Sequence, residues 1–175
     1  MRLVRPTARV AAVVIGAGAL AMFASTLAAS ASASTAAPCR AARLTATMTH
    51  ILGSEGAGNT GYLLTLKNKG STPCRLGNHP GLRLLGKTGK PLPTHVSRIG
   101  PAATVTIAAH HAASARLRFS PDIPGTGEPG QGPCEPPAHA VRVSLIVPGT
   151  GTTVGPVKPP TSVCEHGTIA EQPLS

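Results

Sequence analysis

Five stretches of the chain alternate apolar and polar residues with a period of two, and beyond the N-terminal segment no stretch shows the period of a helix. Leu44, Ala46 and Met48 alternate with Arg43, Thr45 and Thr47. Tyr62, Leu64 and Leu66 alternate with Leu63, Thr65 and Lys67. Val105 and Ile107 alternate with Thr104 and Thr106. Ala115, Leu117 and Phe119 alternate with Ser114, Arg116 and Arg118. Val141, Val143, Leu145 and Val147 alternate with Arg142, Ser144 and Ile146. A strand turns successive side chains to opposite faces, so each run has one face to bury and one to wet. Weaker strand candidates lie at 82–85 and 152–157, and clusters of Gly, Pro, Asn and Ser at 53–61, 68–73, 77–81 and 86–93 separate the runs. Many short strands punctuated by turns predict an all-β domain, an antiparallel sandwich or barrel.

Composition alone leaves order undecided. Behind an export signal ending at Ala33, 142 residues remain, of which 18 are Gly and 17 are Pro. That is about a quarter, the edge of low complexity. Aromatic residues make up 2% of the chain, with no Trp, one Tyr and two Phe. The core is therefore expected to be aliphatic and to lack the large area that rings bury. Periodicity settles what composition cannot, because the Gly and Pro fall between the runs. Several turns have a mechanism. Asn68 and Gly70 are read as left-handed positions, 87–90 as a tight turn, and His110-His111 as a hairpin tip. Residues 120–138, with six Pro and four Gly, form the longest irregular segment. A loop of that length is usually functional or mobile. The residues after Cys164 are expected to fray.

The first 33 residues read as a secretory signal. Arg2, Arg5 and Arg9 form a positive n-region, an Ala-rich apolar stretch follows, and Ala29-Ser30-Ala31 and Ala31-Ser32-Ala33 suit a signal peptidase. This predicts a single domain over 34–175, secreted or held at the cell surface. Four cysteines, Cys39, Cys74, Cys134 and Cys164, all fall in that domain, and an even count in an exported chain reads as two disulfides. Four cysteines allow three connectivities, and the sequence does not choose among them. The sequential pairing is preferred here, and it would close loops of about 30 to 35 residues, each contributing roughly 3 to 4 kcal/mol in the chain-entropy model. Wide spacings and the lack of a C-x-x-C pair argue against zinc.

No catalytic constellation emerges. The carboxylates of the 34–175 segment are Asp122, Glu55, Glu128, Glu135, Glu165 and Glu171, and none lies on a predicted strand. Acid–base chemistry needs such groups held in place. No G-x-S-x-G elbow is present. Residues 125–130 match G-x-G-x-x-G formally, but without the following helix that would hold a dinucleotide phosphate. The seven histidines, His50, His79, His95, His110, His111, His139 and His166, are read as solvent-exposed loop residues and not as metal ligands. Neither cofactor nor metal is expected. If the chain were a small extracellular enzyme, His110, His111 and Asp122 would be the candidates. A metal-binding protein using loop residues is the other alternative.

Lys and Arg number 16 against 6 Asp and Glu, a formal charge of +10 that falls to +7 once the three signal arginines are removed. Arg43, Lys67, Arg116, Arg118 and Arg142 take outward positions on the predicted strands. Such a face either keeps the protein soluble or rests on an anionic cell-envelope polymer or a surface protein. Nucleic acid is not expected as a partner, since single-strand binders add stacking rings that this chain lacks. A monomer is expected.

The residues Gly56-Ala57-Gly58-Asn59, Tyr62, Leu64-Thr65-Leu66, Asn68, Gly70, Pro73-Cys74, Leu76, Pro80-Gly81 and Leu82, with Cys39 before them, carry a resemblance. The chain is similar over residues 39–165 to a secreted actinobacterial family known as domain of unknown function 4232. His79, before Pro80-Gly81, departs from the pattern. The resemblance implies an immunoglobulin-like β-sandwich with the sequential disulfides Cys39–Cys74 and Cys134–Cys164. It implies no catalytic residues. The reading is an exported, disulfide-stabilised β-sandwich that serves as a binding or structural module at the cell surface.

Overall fold

A computed structural model describes residues 36–130, 134, 136–145 and 150–175. The predicted signal, Glu135, Ile146 and Val147 lie outside these residues. Contacts group Ser34–Ser175 as one compact unit. The chain runs through β1 (Ala37–Pro38), a 3₁₀ turn (Ala41–Arg43), β2 (Leu44–His50), β3 (Thr60–Asn68), β4 (Cys74–Gly77), β5 (Gly81–Leu85), β6 (His95–Arg98), β7 (Thr104–Ile107), β8 (Ala112–Phe119), β9 (Ala138–Ser144), β10 (Thr152–Thr161) and β11 (Thr168–Glu171). All five alternating runs form strands, the fifth as far as Ser144, and both weaker candidates do too. Four strands escaped the sequence reading: β1, β4, β6 and β11. Each has at most four residues and too few apolar positions to show a period.

The strands form two sheets. One has the order β1-β4-β7, the other β5-β9-β10-β2-β3-β8-β11-β6. The large sheet has a seam. β10 pairs with β9 over a long antiparallel ladder, but meets β2 through only Val157↔Met48 and Lys158↔Thr49. On one side of the seam β2, β3 and β8 present Met48, Leu64, Leu66 and Leu117. On the other, β5 and β9 present Leu84, Val141 and Val143. All join one hydrophobic core, to which the small sheet adds Leu76 and Ile107. The result is a sandwich-like all-β fold. The layers are carried by antiparallel ladders, as expected, while β1–β4, β2–β10 and β6–β11 pair in parallel. Chain order does not reveal such pairings, because each joins strands distant in sequence.

Two disulfides staple the fold, Cys39–Cys74 with Cα atoms 4.8 Å apart and Cys134–Cys164 with 5.1 Å. The first ties the start of the domain to β4. The second ties the long loop to the segment after β10. The two largest rings meet in the core, Tyr62 against Phe119 with centroids 5.4 Å apart.

Three local expectations need correction. The C-terminus does not fray: β11 joins β6 and β8, Leu174 is buried, and Ser114 exchanges backbone hydrogen bonds with Ser175. Asn68 and Gly70 are not left-handed. Asn68 works through its buried amide, which donates to the carbonyls of Thr72, Ile107 and Ala108 and accepts from the Gly70 N–H at 2.9 Å. Nor are the histidines all exposed: His79 is buried, 4% accessible.

Candidate functional site

The glycine cluster between β2 and β3 builds the most featured part of the surface. Gly56 and Asn59 exchange backbone hydrogen bonds at 3.0 Å, and Ala57 and Gly58 between them take φ of 48° and 73°. Two positive φ values in succession suit a tight, primed hairpin turn. The Asn59 amide donates to the Ala57 carbonyl at 3.0 Å. Below the turn, Ser54 Oγ donates to the Ile51 carbonyl at 2.5 Å and accepts the Gly61 N–H at 2.9 Å.

The long loop lies against this turn. Ser120 Oγ accepts the Ile123 N–H at 3.0 Å, and the Ile123 side chain occupies the space a Cβ on Gly58 would need, 1.9 Å away. Farther along, Glu128 turns inward. Its carboxylate accepts the N–H groups of Gly125 at 2.6 Å, Glu165 at 2.8 Å and His166 at 2.5 Å. Glu165, His166 and Gly167 all have positive φ, a conformation that aims successive N–H groups at one anion. Desolvation pushes the Glu128 carboxyl up, but these three donors more than offset it and hold it below its ordinary range. Within 125–130, the Gly125 N–H thus serves an internal carboxylate.

Two clefts flank the turn. The first, about 350 Å³, lies between His50, Glu55, Asn59, Tyr62, Asp122 and the Pro159–Thr161 end of β10. His50 stands opposite Tyr62 in the β2–β3 ladder, with ring centroids 5.3 Å apart, and its Nε2 lies 2.8 Å from Glu55 Oε1. The Tyr62 hydroxyl donates to the Pro159 carbonyl at 3.1 Å, and burial pushes the phenol up from its ordinary value. The second cleft, about 500 Å³, opens on the other side, where Arg116 and Arg118 of β8 stand beside Ile99, Gly61, Ala170 and Gln172.

The sequence candidates fare unevenly. His110 and His111 are not a hairpin tip: they turn the chain from β7 in the small sheet to β8 in the large one, two strands that do not pair, with His110 at φ 63°, and Asp122 follows the far end of β8. An eight-residue strand separates them by roughly 26 Å at about 3.3 Å per residue, so they share no site. Asp122 instead lines the first cleft with His50 and Glu55, a grouping that spacing along the chain did not suggest. Glu128, Cys134 and Cys164 come within 4.8 Å of one another, but both sulfurs are in a disulfide and the carboxylate is taken by N–H donors. The cluster offers no ligand set.

One pair lies away from the clefts. Glu171 is fully buried on the inner face of β11, with Oε2 3.5 Å from His79 Nδ1 and 4.0 Å from Arg98 Nε. Neither carboxylate oxygen of Glu171 and neither ring nitrogen of His79 has a hydrogen-bond partner. Burial pushes the Glu171 carboxyl up to about 7, against the opposing pull of Arg98. The sequence reading placed Glu171 in a frayed tail and so missed it.

Fold and site define a disulfide-stapled, all-β domain with two open clefts around one glycine turn. The family model described as Domain of unknown function (DUF4232) matches residues 39–174. The chain belongs to that family. No curated protein and no solved structure matches the chain.

Proposed function

We propose that the protein is an exported binding module that works at the cell surface without catalysing a reaction. One observation carries this reading: the residues of the family resemblance, Gly56, Gly58, Asn59 and Tyr62, surround an open cleft, and the same turn walls a second one. A stapled scaffold holding loops around open clefts is a common way to present a binding site. The N-terminal segment and the disulfides support export, and no helix among the described residues is long and apolar enough to cross a membrane.

The test is to express the full chain in a secreting bacterial host, separate cytoplasm, envelope and medium, and sequence the N-terminus. The expected product begins at Ser34 and sits in the envelope fraction. Unprocessed chain in the cytoplasm, or processed chain wholly free in the medium, would sink the reading. A second reading, a small extracellular enzyme, draws on the His50–Glu55 pair facing the first cleft, an arrangement that can move a proton. It requires turnover that His50→Ala abolishes while the fold melts unchanged.

A further inference from the structure

The ladder registers place four cations on one outer face. In β3 and β8, Gly61 stands opposite Arg118, Leu63 opposite Arg116, Thr65 opposite Ser114, and Lys67 opposite Ala112. Residues directly opposite share a face, so Arg118, Arg116 and Lys67 lie in a line. At about 3.4 Å per residue, the arginines are roughly 7 Å apart and Lys67 lies roughly 14 Å beyond Arg116. The row at Arg116 continues through Leu63 and Thr49 to Lys158 of β10. Between the cations stand hydroxyls, with Thr65 Oγ1 and Ser114 Oγ 3.1 Å apart.

Nothing acidic offsets these charges among the described residues. Glu55 pairs with His50, Glu128 is held by N–H groups, Glu171 points into the core, Asp122 lines the first cleft, and Glu165 sits in the turn after Cys164. Arg98 is the only Arg or Lys there with an ion pair, so Arg116, Arg118, Lys67 and Lys158 are uncommitted. Gly61 and Ala170, small residues beside Arg118, keep the groove open around the two guanidiniums. Guanidinium groups suit phosphate oxygens because their planar donors can engage two at once. Among the described residues the face carries no Phe, Tyr or Trp ring for stacking, since Tyr62 and Phe119 are both buried.

We propose that the outer face of β10, β2, β3 and β8, deepest at the Arg116–Arg118 groove, binds a phosphodiester-linked polyol chain, a linear polyanion without bases. The line of Arg118, Arg116 and Lys67, flanked across the strands by Lys158, suits an extended polymer, and the absence of Phe, Tyr and Trp rings favours one without bases over a nucleic acid. The proposal rests on the binding-module reading and names its partner class.

The probe is a synthetic glycerol-phosphate oligomer, titrated into the protein at several salt concentrations. Four phosphate contacts predict a log K against log salt slope of about −3, by the relation for single strands. Arg116→Gln with Arg118→Gln should weaken binding at low salt at least tenfold and flatten the slope to about −1.4, with unchanged melting. Lys67→Gln with Lys158→Gln serves as the second variant and should flatten it similarly. Binding unaffected by either pair would overturn the proposal. So would an oligothymidylate of equal charge, or phosphatidylglycerol vesicles, binding as tightly as the oligomer. Envelope retention without oligomer binding would remove the polymer and leave the module. A chain found unprocessed in the cytoplasm would remove the module itself.

Discussion

Glu171 shows how one residue can run against its type. It alternates with Ile169 on the inner face of β11, so the pleat that buries the isoleucine buries the carboxyl too. An ionised carboxylate there has lost its water and found no hydrogen bond, which favours the protonated form. The native group holds its proton to about 7, whereas the unfolded chain releases it near 4.5. Between those values the native state binds more protons, so stability falls as pH rises and levels off above 7. The loss is on the order of 3 kcal/mol. Thermal melts should show the wild type less stable at pH 8 than at pH 5. Glu171→Gln should remove most of that difference and raise the melting temperature at pH 8. Equal pH dependence in both proteins would show that Glu171 is not the group responsible. Asn68 carries a second lesson of this scale. Its type was read for left-handed backbone, but its neighbours recruit its amide, and nothing local reveals the distant carbonyls of Ile107 and Ala108.

At the scale of elements, β10 decides how the large sheet is joined. A Cβ on Gly155 would lie 1.7 Å from the Ala46 carbonyl oxygen of β2, so the strands can approach here only because the residue is glycine. Gly155→Ala must push backbone of the β2–β10 seam apart, and overpacking costs about 1 to 3 kcal/mol, and more where the clash is with backbone that cannot give. Gly89, in the tight turn after β5, has φ 76° and open space around it. Gly89→Ala should cost only the left-handed penalty of about 1 to 2 kcal/mol. Urea denaturation should therefore rank Gly155→Ala as the more damaging. The opposite ranking would show that the seam yields easily. The strands that bury whole alternating faces were legible in the sequence. β4 and β6 were not, because β6 holds a single apolar residue, Val96, β4 is bounded by a cysteine and a glycine, and their pairing comes from partners far along the chain.

For the whole molecule, the question is what an aliphatic core with two buried rings leaves to the disulfides. The loops they close have separations of 35 and 30 residues. In the chain-entropy model each is worth roughly 3.5 to 4 kcal/mol. Domains as a rule have only about 5 to 15 kcal/mol in total. Reduction should therefore lower the melting temperature by some 15 to 30 °C or unfold the domain, at about 2 to 4 °C per kcal/mol. Dispersed NMR spectra and an unchanged melt in reductant would show that the core suffices alone.

The sequence by itself determined the all-β class, the five principal strands, the Gly- and Pro-rich turns between them, and the presence of paired cysteines. These follow from period two and from local backbone preference, which are properties of neighbouring residues. Tertiary structure alone decided the parallel seams, the burial of Glu171 beside His79, the gathering of His50, Glu55 and Asp122 around one cleft, and the alignment of Lys67, Arg116, Arg118 and Lys158 on one face. Each depends on the register between strands remote in sequence, and register is set by the packed core as a whole.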